Sequence, residues 1–317
     1  MLLRVITLLL TFSLSSCSTV VLQGFGNDSN KALSIVTADL FNQRDGSQDE
    51  NTWKGDWLFR RARIELIDQQ LVNIRPDILL FQNLMKREGS VSESDVKLLN
   101  AGVLNGFRWQ THKMKSFSDT GEQSLLASAI GLPARFDSSG LEGKSIQIGK
   151  GGFAAVFPVE RNGQKILLSS VKLPNDESAD QAYGQLIDFL SAAMKESGIC
   201  SKRLIIGGYL PMNPSWQNDK RLLSTFSMKD TAEGFCNIAE SCFTSTADNE
   251  LQSQIDPLAF GQRTDRILVS NRTRVFDSQR VFDQSEESYL SARHGLQRFW
   301  PLHRFGWLTK VRLARCY

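Results

Sequence analysis

Ile74-Arg75-Pro76-Asp77-Ile78-Leu79-Leu80-Phe81-Gln82-Asn83-Leu84 decides how this chain is read. A helix cannot run through Pro76, which has no N–H to donate and whose ring disfavours α geometry at Arg75. The apolar run that follows reads as a buried strand, and it carries Gln82 and Asn83 to its carboxyl end. Sheets of α/β proteins usually hold ligands at that end, so residues there are candidates for chemistry. Upstream, Asp56 to Asn73 predicts an amphipathic helix, because Leu58, Ala62, Ile64, Ile67, Leu71 and Ile74 recur near helical spacing with charged residues between them. Before a polar loop over 42–54, Leu33 to Ala38 reads as the first strand, ending at Asp39. A second helix is expected near Ser92 to Leu104, with Ser92 and Ser94 as caps. Strand, helix, strand, helix is the order of an α/β layered domain.

Further on the pattern changes to short strands over Phe107–His112, Leu125–Gly131, Gly152–Val159 and Ile166–Leu173. Asp119-Thr120-Gly121 and Arg161-Asn162-Gly163-Gln164 mark turns between them, and the second is a strong hairpin signal. Asp176 to Gly198 predicts another amphipathic helix, stopped by its glycine. Arg203–Gly208 and Arg263–Ser270 read as strands, Phe305–Leu313 as the last one, and 215–262 as loops over the sheet edges.

Charge names no partner. With 37 basic and 34 acidic residues the net charge is +3, and no block of like charges forms a nucleic-acid tail. The amino terminus is more informative. Arg4 precedes an apolar run, Val5 to Leu14, that is too short to span a bilayer and reads as a signal peptide. It closes on Leu14-Ser15-Ser16-Cys17, which is similar to the bacterial lipobox, so residues 1–16 are expected to be removed and Cys17 to carry lipid. Ser18, in place of Asp, resembles an outer-membrane address. Residues 17–31 then form a polar, glycine-bearing tether, and 32–317 the domain.

An exported chain meets oxidising conditions, so the cysteines other than Cys17 are expected to pair. Cys236 and Cys242 are close enough to bridge locally, which leaves Cys200 and Cys316. Zinc is the rival reading, but there is no CxxC element and the chain has only 3 His.

From Leu33 to the end, a series of short phrases resembles the endonuclease/exonuclease/phosphatase family, the DNase-I-like phosphodiesterases. Asp77 to Gln82 is similar to that family's "pDii.lQE", and Thr37-Ala38-Asp39 to its "TwN". Residues 151–175 resemble its central hairpin ending "ntHl", Arg203 to Pro211 its "viiaGDFN", Arg263 to Ser270 its "rIDyIlvs", and Gln297 to Leu302 its "SDHyPl". The resemblance implies a four-layer α/β/β/α sandwich of two packed mixed sheets flanked by helices.

It also implies chemistry that these residues do not supply. Family members hold magnesium on a Glu and other polar ligands, activate water with Asp and stabilise phosphorus charge with His. Here the Glu position is Asn83, the central His is Lys172, the Asp and Asn of "GDFN" are Tyr209 and Pro211, and the last Asp and His are Arg298 and Phe299. Asp39 stands for an Asn, and Asp265 keeps its identity. A cation-attracting pocket becomes neutral or slightly basic. The expectation is a degenerate domain, without metal, that binds an unidentified protein or anionic ligand at the membrane. The alternative is an active magnesium-dependent phosphoesterase with relocated ligands among Asp39, Asn83, Asn213 and His294. For His294 and His303 a surface or strand position is the plainer reading.

Overall fold

Strand β1 (Leu33–Asp39) is buried on both faces, and its alternation sorts the core into layers. Leu33 and Ile35 join Ile78, Leu80, Ile130, Leu168, Ile205 and Ile267 in one cluster, whereas Val36 and Ala38 join Ile67, Leu71, Leu79 and Phe81 in another. The computed structural model describes residues 32–40, 65–84, 102–118, 121–138, 140, 142–149, 151–174, 176, 178–213, 215–236, 242–245, 261–283, 286–291, 295–299 and 305–316. The expected signal peptide, Cys17 and tether lie outside these residues, as do the first part of the 56–73 helix, most of the 92–104 helix, His294, His303 and Trp300 to Leu302.

The remaining strands are β2 (Ile78–Leu84), β3 (Phe107–Ser118), β4 (Gly121–Pro133), β5 (Asp137–Ser138), β6 (Lys144–Ile148), β7 (Gly152–Arg161), β8 (Gln164–Lys172) and β9 (Leu204–Tyr209). They continue with β10 (Met228–Asp230), β11 (Asp265–Ser270), β12 (Arg274–Val281), β13 (Glu286–Ser291), β14 (Gly295–Phe299) and β15 (Gly306–Arg312). Among the described residues, a 6-stranded sheet has the order β12-β15-β1-β2-β4-β3 and a 7-stranded sheet the order β10-β11-β9-β8-β7-β5, with β6 also on β7. Both are mixed, since β1 runs parallel to β2 and β8 to β9 while their other neighbours are antiparallel.

Helices close the outer faces. Helix α1 (65–74) sets Ile67 and Leu71 against Val36, Leu79 and Phe81. On the second sheet, α2 (Ala179–Ser197) and α3 (Gln217–Thr225) bury Tyr183, Leu186, Leu190 and Leu222 against Val156, Leu167, Val171 and Ile206. The result is the expected α/β/β/α sandwich. Its chain reversals follow local chemistry: Arg75 takes φ 50 and donates its N–H to Leu71 O at 2.8 Å, because Pro76 denies it the α region. Asn162 and Gly163, at φ 53 and 71, make the left-handed pair of a two-residue hairpin.

Several boundaries differ from expectation. The end of the expected 92–104 helix is a 3-10 turn over Gly102–Gly106, where Val103 N donates to the Asp68 carboxylate at 2.5 Å. Residues 215–262 are not all loop: α3 and β10 lie there, hidden because α3 is mostly polar and β10 only three residues long. β6 has an exposed pattern broken only at Ile148, so it carried no strand signal. β3 and β4 continue past the expected His112 and Leu125 into a long hairpin meeting at Ser118 and Gly121. Sulfur joins Cys236 to Cys242 (Cα–Cα 5.7 Å) and Cys200 to Cys316 (6.4 Å), each worth about 2–4 kcal/mol.

Candidate functional site

The layer between the sheets changes character along its strands. Inward positions run Ile35, Thr37, Asp39 on β1, and Ile78, Leu80, Gln82 on β2; on β4, which runs the other way, they are Leu132, Ile130, Ser128. The facing sheet repeats this, with Leu168 then Ser170 on β8, Ile205 then Gly207 and Tyr209 on β9, and Ile267 then Asp265 on β11. At one end, therefore, an apolar core gives way to polar and small residues.

Gln82 stitches that end together. Its Nε2 donates to Leu80 O at 2.8 Å and across the layer to Ser170 Oγ at 3.0 Å, while Thr37 Oγ1 donates to Leu80 O at 3.0 Å and Ser170 Oγ to Phe81 O at 3.3 Å. All three side chains are fully buried, so each bond spares a desolvated group. Backbone comes close here: a Cβ on Gly207 would lie 2.5 Å from Leu80 Cδ1, and one on Gly208 would collide with the Val171 carbonyl.

Around this seam the structure brings together most of the expected positions. Asp39 ends β1, is 2% exposed and lies in register with Gln82; Asn83 follows Gln82 in β2, and its side chain is outside the described residues. Lys172 ends β8 in register with Tyr209, and Tyr209 in turn pairs with Asp265 at the start of β11. Asp265 is fully buried, with Thr264 and Asp265 N–H groups both donating to Thr244 Oγ1 at 3.0 Å and Thr264 Oγ1 to Asp265 Oδ2 at 3.3 Å. Arg298 lies in the β13–β14 hairpin opposite Glu287, and only its backbone is described. Asn213 is committed to a turn: its Oδ1 accepts from Ser215 N at 2.9 Å and Ser215 Oγ at 2.7 Å.

Two features escaped sequence reasoning. Ser128 is in register with Gln82 and His112 with Ser128, so a polar row runs from Asp39 across four strands. Neither Ser128 Oγ nor His112 Nε2 has a hydrogen-bond partner among the described residues, and burial lowers the His112 pKa below its usual 6.5. Neither carried a sequence signal of its own, because their alignment with Gln82 is set by strand register. The other feature is Arg266, which is 1% exposed and faces the helices. Its Nε donates to Asp230 Oδ2 at 2.7 Å and its Nη1 to Asp219 Oδ1 at 3.0 Å, and Arg263 Nη1 reaches Asp230 Oδ1 at 2.6 Å. Burial alone would push the Asp230 carboxyl up, but the Arg266 and Arg263 guanidiniums hold it below the ordinary range. Tyr183 joins the group, its pKa raised by burial, and donates to Pro211 O at 2.8 Å, which ties the segment after Tyr209 to the helix layer.

Among the described residues, the donors at this end do not make a divalent-metal site. Hard cations need several oxygen ligands, preferably anionic. On the rung Lys172–Tyr209–Asp265, one carboxylate stands beside an ammonium and a phenol. Among the described residues no three His, Cys, Asp or Glu side chains gather as a metal-binding group.

No protein-family model matches the sequence, and no curated protein matches it. Solved structures do. An endonuclease/exonuclease/phosphatase family protein from Bacteroides thetaiotaomicron superposes with a TM-score of 0.62 at 17% identity, covering 90% of this chain and 98% of its own. A mannosyl-6-phosphatase from the same organism gives 0.62 at 16%, covering 89% and 100%. The human nocturnin catalytic domain, with bound sulfate, gives 0.59 at 13%, covering 90% and 94%. At such identities the likeness establishes the fold alone: a DNase-I-like α/β/β/α sandwich.

Proposed function

We propose that this chain is an envelope lipoprotein whose DNase-I-like domain works without metal, as a binding or assembly module rather than as a phosphoesterase. The observation that carries the reading is the rung Lys172–Tyr209–Asp265 at the polar end of the inter-sheet layer. Two neighbouring strand ends there present a cation and a phenol where the resemblance asks for His and Asp. Such a site disfavours a divalent cation and suits an anionic or hydrogen-bonding group of a partner. The relocated-ligand alternative is weakened by Asn213, whose side-chain oxygen is already taken by Ser215.

Turnover tests this first. The purified protein should leave a chromogenic phosphodiester and a phosphomonoester intact with either magnesium or manganese present, and metal-dependent hydrolysis abolished by Asn83→Ala overturns the proposal. Anchoring is tested separately. Lipidation at Cys17 sends the wild type to the detergent phase of an extraction and Cys17→Ser to the aqueous phase or to an unprocessed form; a wild type found in the aqueous phase contradicts it. Ser18 supports delivery to the outer membrane.

A further inference from the structure

On the helix-covered face of the second sheet, away from the inter-sheet layer, lies a cavity of about 340 Å³. Val156, Pro158 and Leu167 floor it, Ala193 and Ser197 of α2 form one wall, and Gly140, Glu142, Lys144 and Glu196 form its rim. Its origin is legible in the helix. Leu186 and Leu190 fill the helix–sheet layer in the preceding turns, but on the same face the next positions are Ala193 and Ser197, whose short side chains fill less of it and line the cavity. Pro158 adds to the opening. It has no N–H, and it falls between the stretch of β7 paired with β6 and the stretch paired with β5, so no strand of the described residues pairs with β7 at that point on this edge.

The charges around this opening are unequal. Two carboxylates, Glu142 and Glu196, face one ammonium, Lys144, whose Nζ is 2.5 Å from Glu196 Oε2. Helix α2 also ends here at Ser197, with Gly198 at φ 64, so its last carbonyls bring a partial negative charge of about half a unit to the same wall. An apolar floor of ligand-pocket size under a net negative rim suits one chemistry. We infer that this cavity is a binding site for an alkylammonium group, its methylenes against Val156, Pro158 and Leu167 and its cationic head between Glu142, Glu196 and the end of α2. Lys144 is then a competitor for Glu196 rather than part of the site.

The competition makes the test specific. The full-length protein is titrated with 1,5-diaminopentane at low ionic strength, with hexanoate as the control of opposite charge, and binding is read by calorimetry and by amide shifts along β7 and α2. Saturable binding of the diamine and none of hexanoate is expected. Glu142→Gln with Glu196→Gln should weaken it at least tenfold, and Lys144→Gln should strengthen it several-fold. Ala193→Phe, which fills the cavity, should abolish it. All three polar positions are exposed, so those variants leave the fold intact even if Ala193→Phe does not. No saturable binding, equal binding of hexanoate, or affinity unchanged by the paired Gln substitutions overturns the inference.

Discussion

On the inward face of β2, Ile78 and Leu80 lie in an apolar layer, while Gln82, one step further on the same face, lies in a hydrogen-bonded seam with Thr37 and Ser170. The inward faces of β1, β4, β8 and β11 repeat the change, with Ile35 giving way to Thr37, Ile130 to Ser128, Leu168 to Ser170 and Ile267 to Asp265. In the apolar half each fully buried aliphatic side chain contributes about 1.5–3 kcal/mol. Hydrogen bonds in the polar half return only about 0.5–1.5 kcal/mol each after desolvation. A layer built for stability alone would stay apolar to its end. The polar half is where the proposed site lies, and among the described residues no three His, Cys, Asp or Glu side chains gather there as a metal-binding group.

Breaking the apolar half should have the largest effect. Leu80→Ala removes a fully buried side chain that packs toward Gly207 across the layer, and urea unfolding should show a loss of about 2–5 kcal/mol. Gln82→Ala should cost less, about 1–3 kcal/mol, because it leaves Ser170 Oγ and Thr37 Oγ1 without their amide partner. A loss at Gln82 equal to that at Leu80 would erase the distinction between the halves.

The polar row also predicts a pH dependence. Burial lowers the His112 pKa from 6.5, so the folded state binds fewer protons than the unfolded chain just below that value. Stability from this group is complete above pH 6.5 and is lost as pH falls from there toward the folded-state value. His112→Phe should flatten that part of a stability–pH curve; an unchanged slope contradicts the assignment. The smallest effect has the opposite sign. Ser128 buries a hydroxyl with no partner among the described residues, so Ser128→Ala should raise stability by about 1 kcal/mol, whereas Ile130→Ala, two residues along the same face, should lower it.

The sequence made the sandwich legible because buried strands such as Ile78–Phe81 and Leu204–Ile206 are apolar on both faces and are delimited by Pro76, Gly198 and the Asn162-Gly163 turn. It also located Asp39, Lys172, Tyr209 and Asp265, each at a strand end. Elements without hydrophobic periodicity stayed hidden: β6 is exposed along most of its length, and α3 buries little beyond Leu222 and an ion-paired Asp219. Arg266 was missed for another reason. Its buried position is visible only once Asp219 and Asp230, distant in sequence, are seen to neutralise it. Ser128 and His112 depend on strand register, which the pattern of a single strand does not contain.

The proposed metal-free reading rests on the strand-end rung of Lys172, Tyr209 and Asp265, and a metal titration tests it most directly. Calorimetry and thermal melting of the purified protein, with magnesium and then manganese, should show neither binding heat nor a rise in Tm at sub-millimolar concentration. A saturable, metal-dependent stabilisation in that range, lost in Asn83→Ala and accompanied by phosphodiester turnover, would contradict it.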